Sequence, residues 1–201
     1  MSIPLEEQLA KLEECGIVLD PGITIDDVLY SFSRSQYEER PFDLLLFVLG
    51  IEVEREPRNR TFCSRVWNFD SECICEAGDY IRIVNRLCLV AGNPELITDI
   101  DDFVDLEKGE AWLTYTIDGI VRRWKVAVDN DWADVLTLAY VMGDIERDGR
   151  RFYAKGNGQM LILFHLDRET ADKINFFISS SSGKLLQPIV PKLKKGGWEW
   201  D

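Results

Sequence analysis

Leu5, Leu9 and Leu12 recur at helical spacing, with Glu6, Glu7, Lys11, Glu13 and Glu14 mostly on other faces. The pattern predicts a first helix stopped by Gly16. Pro21-Gly22 marks a turn. Thr24, followed by Asp26 and Asp27, reads as the capped start of a second helix whose apolar stripe is Val28, Leu29 and Phe32 and which runs toward Arg40. Pro41 breaks it. From Phe42 to Val53 the residues are mostly apolar, so periodicity alone does not separate a buried helix from a buried strand. Six of the eight positions from Phe42 to Leu49 are Leu or Phe and only Val48 is β-branched, which favours a helix ending at Gly50.

Glu54 to Arg65 is polar and reads as a loop, with Pro57, Asn59 and the four arginines Arg55, Arg58, Arg60 and Arg65. Val66 to Asp70 follows as a short strand or an extended lead-in. Gly78 and Asp79 open a third helix with the stripe Tyr80, Ile83, Val84, Leu87 and Cys88, ended by Gly92-Asn93-Pro94. Two hairpins are the clearest pattern. Ala111–Ile117 and Ile120–Val128 flank Asp118-Gly119, a favoured type I′ turn, which pairs Ile117 with Ile120, Tyr115 with Arg122 and Leu113 with Trp124. Arg151–Ala154 and Met160–Leu166 are joined around Gly156-Asn157-Gly158. Asp131 is positioned to cap a helix holding Trp132, Val135, Leu136, Leu138, Ala139 and Met142, and Asp167 to start a last helix with Ala171, Ile174 and Phe177.

These elements define an α+β fold: an antiparallel sheet of at least four strands, covered on one face by helices, with Trp124, Leu113 and Leu163 largely buried. Residues 1–178 read as a single domain and 179–201 as a flexible tail, because Ser179–Gly183 is a serine run and Lys192–Asp201 carries three lysines and two glycines. Trp198 and Trp200 leave both a docked and a disordered tail open.

Composition narrows the function classes. The chain has 201 residues, 46% hydrophobic and 11% aromatic, which suits a globular core and not a disordered chain. Lys and Arg number 23 against 36 Asp and Glu, a net charge of −13 that repels phosphate backbones and anionic lipid. A basic protein is the complementary partner. The N-terminus lacks the basic and long apolar segments of a secretory signal, and the longest apolar run, Leu44–Leu49, is far short of a membrane helix, so a cytoplasmic setting is expected. The odd set Cys15, Cys63, Cys73, Cys75 and Cys88 does not close a disulfide framework, and Cys73-x-Cys75 has the wrong spacing for a zinc site. Reduced structural thiols, with no metal and no cofactor, are expected.

Catalytic motifs are scarce. The only histidine, His165, lies in the Met160–Leu166 strand and reads as a structural residue on its solvated face or at its rim. Gly156-x-Gly158 is a hairpin turn, not a dinucleotide site, and no phosphate loop is present. Carboxylates remain: Asp99, Asp101, Asp102 and Asp105 in one stretch, Asp129, Asp131 and Asp134 in another, neither with the spacing of a calcium loop. From Glu95 to Asp134 eleven acidic residues face four basic ones, so this stretch carries −7 of the −13, interleaved with Trp112, Trp124 and Trp132. Acidic rims around aromatic anchors suit a binder of a basic protein, because charge steers encounter and aromatics supply hot spots.

Val66-Trp67-Asn68-Phe69-Asp70, Asp118-Gly119, Asp131-Trp132-Ala133-Asp134 and Gly158-Gln159 resemble small uncharacterised bacterial proteins that are themselves similar to toxin-immunity proteins. The resemblance implies a cytosolic inhibitor of a secreted toxin and carries over no catalytic residue. Two function classes stand. One is a non-enzymatic binding protein using Asp99, Asp101, Asp102, Asp105, Asp129, Asp131, Trp132 and Asp134 against a basic toxin. The other is a carboxylate-dependent hydrolase or transferase, with or without Mg²⁺. Carboxylates gathered in a deep pocket would favour the enzyme; a broad exposed acidic and aromatic surface would favour the binder.

Overall fold

The computed structural model describes residues 2–157, 160–179, 186–189, 193–194 and 197–198. The chain is α+β and forms two compact units, residues 1–69 with 153–187 and residues 70–152 with 188–201. It begins in the first unit with helices α1 (Leu5–Glu13), α2 (Ile25–Val28), α3 (Arg34–Glu39) and α4 (Asp43–Leu49), then strand β1 (Val66–Asp70). Helix α5 (Asp79–Ala91), strands β2 (Ile97–Asp105), β3 (Glu110–Ile117) and β4 (Ile120–Val126), and helix α6 (Val135–Ile145) follow in the second unit. Strands β5 (Arg150–Asn157) and β6 (Met160–Asp167), helix α7 (Arg168–Ser179) and strand β7 (Gln187–Pro188) come next, before the short ribbon β8 (Leu193–Lys194) and β9 (Gly197–Trp198). Of the segment expected to be a flexible tail, Leu186 is buried and β7 joins a sheet. The expectations for Ser180–Gly183, Trp200 and the turn residues Gly158 and Gln159 lie outside the described residues.

The two expected hairpins belong to two antiparallel sheets instead of one: β5–β6 sits in the order β1-β6-β5-β7, and β3–β4 in the order β2-β3-β4. The first unit buries Leu5 and Leu12 of α1, Leu45, Leu46 and Leu49 of α4, Ile162 and Phe164 of β6 and Ile174 of α7 in one core. Gln8, fully buried on the same helix as the leucine stripe, has every side-chain polar atom engaged. Its Nε2 donates to the carbonyls of Ile3 and Tyr37 at 2.8 and 3.1 Å, and its Oε1 accepts from the Phe42 N–H at 2.7 Å. That last bond holds Phe42 in the left-handed conformation (φ 68°) that starts α4.

The helix expected from Thr24 to Arg40 is broken in two. Asp27 accepts from the Thr24 N–H and hydroxyl at 2.8 and 2.9 Å, as the capping reading requires. A second capping box, Ser33 with Gln36, starts α3, and the Tyr37 hydroxyl donates to the Val28 carbonyl at 2.6 Å, satisfying the end of α2. The helix read at 42–49 forms and ends at Gly50, but for a reason absent from a stop signal. Gly50 has φ −90°, which any residue adopts, whereas a Cβ there would lie 2.7 Å from the backbone nitrogen of Asn68. Close approach to β1, not backbone freedom, requires glycine.

In the second unit every residue of the predicted α5 stripe is buried, and Gly92 closes the helix in the left-handed region. The β3–β4 register is as expected, Ile117 opposite Ile120 and Leu113 opposite Trp124, with positive φ at both Asp118 and Gly119. Leu113 and Leu163 are fully buried; Trp124 is half-buried, stacked on Tyr140 with ring centroids 4.7 Å apart. β6 corrects the one-sided picture of its sheet. Ile162, Phe164 and Leu166 fill the core of the first unit, and the alternate residues Leu163 and His165 are buried as well. A strand buried on both faces has no solvated side for His165.

Candidate functional site

The acidic stretch Glu95–Asp134 divides into carboxylates that hold the fold and carboxylates that face solvent. Asp99, Asp101, Asp102 and Asp105 all lie on β2, a strand that its four aspartates conceal in the sequence. Asp102 is buried and points at the start of α5. Its carboxylate accepts the backbone N–H groups of Gly78, Tyr80 and Ile81 at 2.6, 2.9 and 3.3 Å, supplying an anion where the helix presents unsatisfied donors. Asp105 accepts from the backbone and Nζ of Lys108 in the β2–β3 turn, and that cation holds its carboxyl below the usual range. Asp99 sits at a bulge in β2 with φ 49°, and Asp101 points outward; both are exposed.

Asp134, not Asp131, caps α6. It accepts from Leu136 and Thr137 N–H at 3.0 and 3.2 Å, from the Thr137 hydroxyl at 2.8 Å and from Ala127 N–H at 2.9 Å. The helix therefore begins three residues later than the sequence implies, and Trp132 lies ahead of it. Trp132 is 39% exposed and is no part of a buried helical stripe. Its N–H donates to the Asp129 carbonyl at 3.0 Å, with Asn130 in the left-handed region between them. The turn is pinned to residues 71–74: Ile74 N–H donates to the Asp131 carbonyl at 2.9 Å, Ala133 N–H to the Ser71 carbonyl at 2.7 Å, and Trp132 forms a bridge with Glu72. Glu72, Asp129 and Asp131, the residues adjacent to or bridged with Trp132, are exposed.

Of the sequence-predicted site, then, the structure brings Asp129, Asp131 and Trp132 together in one fixed turn and adds Glu72, which the sequence pattern does not single out. It removes Asp102 and Asp134 to structural roles and places Asp99 and Asp101 on β2. Trp112 and Trp124 are elsewhere, the former stacked on Phe103 at 6.2 Å and the latter donating through Nε1 to the Tyr115 hydroxyl at 3.1 Å. That hydroxyl donates to Asp144 Oδ2 at 2.7 Å, and Arg122 binds both oxygens of the same carboxylate at 3.0 and 3.1 Å. Burial and the Asp144 carboxylate push the Tyr115 phenol far up, so it stays a donor across the physiological range. This network ties β3 and β4 to α6.

Among the described residues no three His, Cys, Asp or Glu side chains are grouped as a metal ion requires, and no helix is long and apolar enough to cross a membrane. No protein family, curated protein or solved structure matches the chain.

The cysteines report on the same region. Burial, with the Asp70 and Asp131 carboxylates, pushes the Cys73 thiol up to about 11, while Cys75 two residues away is exposed. Burial also pushes Cys63 and Cys88 up to about 11 and raises Cys15. Thiolate is the reactive form, so at pH 8 only about one part in a thousand of a thiol with such a pKa is reactive. A disulfide-exchange reagent should therefore modify Cys75 quickly in the native protein and release the other four only on unfolding, for five thiols in all. Fast native reaction at Cys73 would contradict the burial assigned to it.

Proposed function

We propose that this chain is a non-enzymatic binding protein that docks on a cationic protein through the Asp129–Trp132 turn, and that it acts as an immunity-type inhibitor of a basic toxin. One observation carries the reading: a tryptophan 39% exposed is held in a backbone-pinned turn whose adjacent and bridged residues Glu72, Asp129 and Asp131 are exposed acids. Such an anchor arrives already ordered, so binding does not have to offset the entropy of fixing the loop. The surrounding carboxylates, in a chain of net charge −13, steer a basic partner toward it and match its charge on contact. The hydrolase reading is less well supported, because Asp102 and Asp134, two of its candidate acids, are engaged by backbone N–H groups.

Binding kinetics with the product of the neighbouring gene, measured at two salt concentrations, test the proposal. D129N/D131N should lower the association rate by about threefold to tenfold at low salt and flatten its salt dependence. W132A should leave association nearly unchanged and raise the dissociation rate by about tenfold or more, as loss of an aromatic anchor does. Rates indifferent to both variants would place the interface elsewhere.

A further inference from the structure

The edge of the three-stranded sheet carries a second set of features that neither the caps nor the Trp132 turn uses. In the β3–β4 register, Ile120, Arg122, Trp124 and Val126 occupy the positions that exchange backbone bonds with β3. Val121, Arg123 and Lys125 therefore turn their N–H and C=O groups away from it, and among the described residues β4 is the terminal strand of its sheet. This edge is seven residues long, contains no proline and leaves Val121 70% and Ile120 53% exposed; the exposed cations Arg123 and Lys125 guard it against strands that do not match their charge.

The side chains beside that edge are chemically matched. Lys125 lies opposite Trp112, Arg123 opposite Thr114, and Phe103 opposite Trp112 on the far side, all on the outer face of the sheet. Trp112, Arg123, Trp124 and Lys125 line a groove of about 350 Å³. Arg122, on the opposite face of the strand, is bound bidentately by Asp144, whereas among the described residues neither Arg123 nor Lys125 makes an ion pair. In a chain with 36 acidic residues, two exposed cations without a carboxylate on one strand edge are directed outward.

We propose that the β4 edge binds an extended acidic segment of a partner protein, which adds to the sheet as a fourth strand. Its backbone pairs with Val121, Arg123 and Lys125, its carboxylates meet Arg123 and Lys125 on the outer face, and its alternate apolar side chains fall on the other face beside Ile120 and Trp124. Charge and backbone chemistry decide the occupant. A second copy of this chain, paired antiparallel about Arg123, would set Arg123 against Arg123, and like charges directly opposite are destabilising. A nucleic-acid strand has no peptide N–H and C=O groups with which to continue the ladder of β4. The proposal stands apart from the Trp132 turn, which faces a partner of opposite charge.

The probe is a capped, fluorescein-labelled octapeptide alternating glutamate with valine and carrying one phenylalanine, titrated into the full chain and followed by anisotropy. Saturable binding is expected, with slowed amide exchange at Val121, Arg123 and Lys125. R123E/K125E should weaken it by about tenfold or more and should instead bind the peptide with lysine in place of glutamate. V121P removes one outward N–H and leaves the β3 bonds intact, and should weaken binding as well. Should V121P fail to fold, as judged by circular dichroism, a peptide N-methylated on the amides that face β4 makes the same test. D129N/D131N should bind the peptide as the wild type does, which separates this site from the proposed function. No binding at about 1 mM peptide, or equal binding by the wild type and R123E/K125E, overturns the proposal.

Discussion

Asp43→Ala should destabilise the protein by about 3–5 kcal/mol, the largest effect expected of any single polar substitution described. Lys155 on β5 is buried, its side chain only 5% exposed, and its Nζ is 2.6 Å from Asp43 Oδ1 in the first turn of α4. Removing the carboxylate leaves an ammonium group out of water with its only described anionic partner gone. The reverse change, Lys155→Met, should cost distinctly less, because the Asp43 side chain is 28% exposed and Arg40 lies 3.9 Å from its other oxygen. The double variant D43L/K155M should recover most of the loss, since apolar residues of similar volume often replace a buried pair without net cost. Urea unfolding of the three variants measures this. Equal losses for the two single changes would mean that burial of the ammonium is not what makes Asp43 necessary.

Asp102→Ala is expected to cost about 2–4 kcal/mol, because three backbone donors at the start of α5 lose a charged acceptor in a buried setting. Asp102→Asn should cost less than the alanine change, since one amide oxygen can still accept. The readout is the urea midpoint followed by near-ultraviolet circular dichroism, to which Trp112 and Trp124 of the same unit contribute. A docking residue behaves differently: its loss slows association and leaves the midpoint in place. Asp102 grouped with Asp99 and Asp101 by sequence alone is thus separated from them by a measurement of stability.

How much of the candidate site could be read from the chain follows from this division. Trp132 with Asp129 and Asp131 is legible, because local charge and an aromatic neighbour mark it. Glu72 is not, since it reaches the turn through backbone pairing between segments about sixty residues apart. Asp134 carries its own clue: Thr137 and the apolar run beginning at Val135 fit a cap at 134 better than one at 131. The Ser33–Gln36 capping box that divides the expected second helix is likewise written in the sequence.

Features whose physics is local follow from the order of residues alone. The Asp118-Gly119 turn sets the β3–β4 register because a two-residue hairpin with positive φ at both positions admits one pairing. The α5 stripe and its Gly92 stop depend only on a period of 3.6 and a left-handed cap. Tertiary structure decided the rest. The two hairpins entered different sheets, because strand order depends on which distant segments bury apolar faces together. His165 became buried when both faces of β6 were covered, and Gly50 became necessary only when β1 came within contact distance. Asp102 became a cap because β2 brings its carboxylate to donors more than twenty residues away. A carboxylate in sequence shows its charge; whether that charge is used by a partner or by a helix is settled by which unsatisfied groups the folded chain sets in front of it.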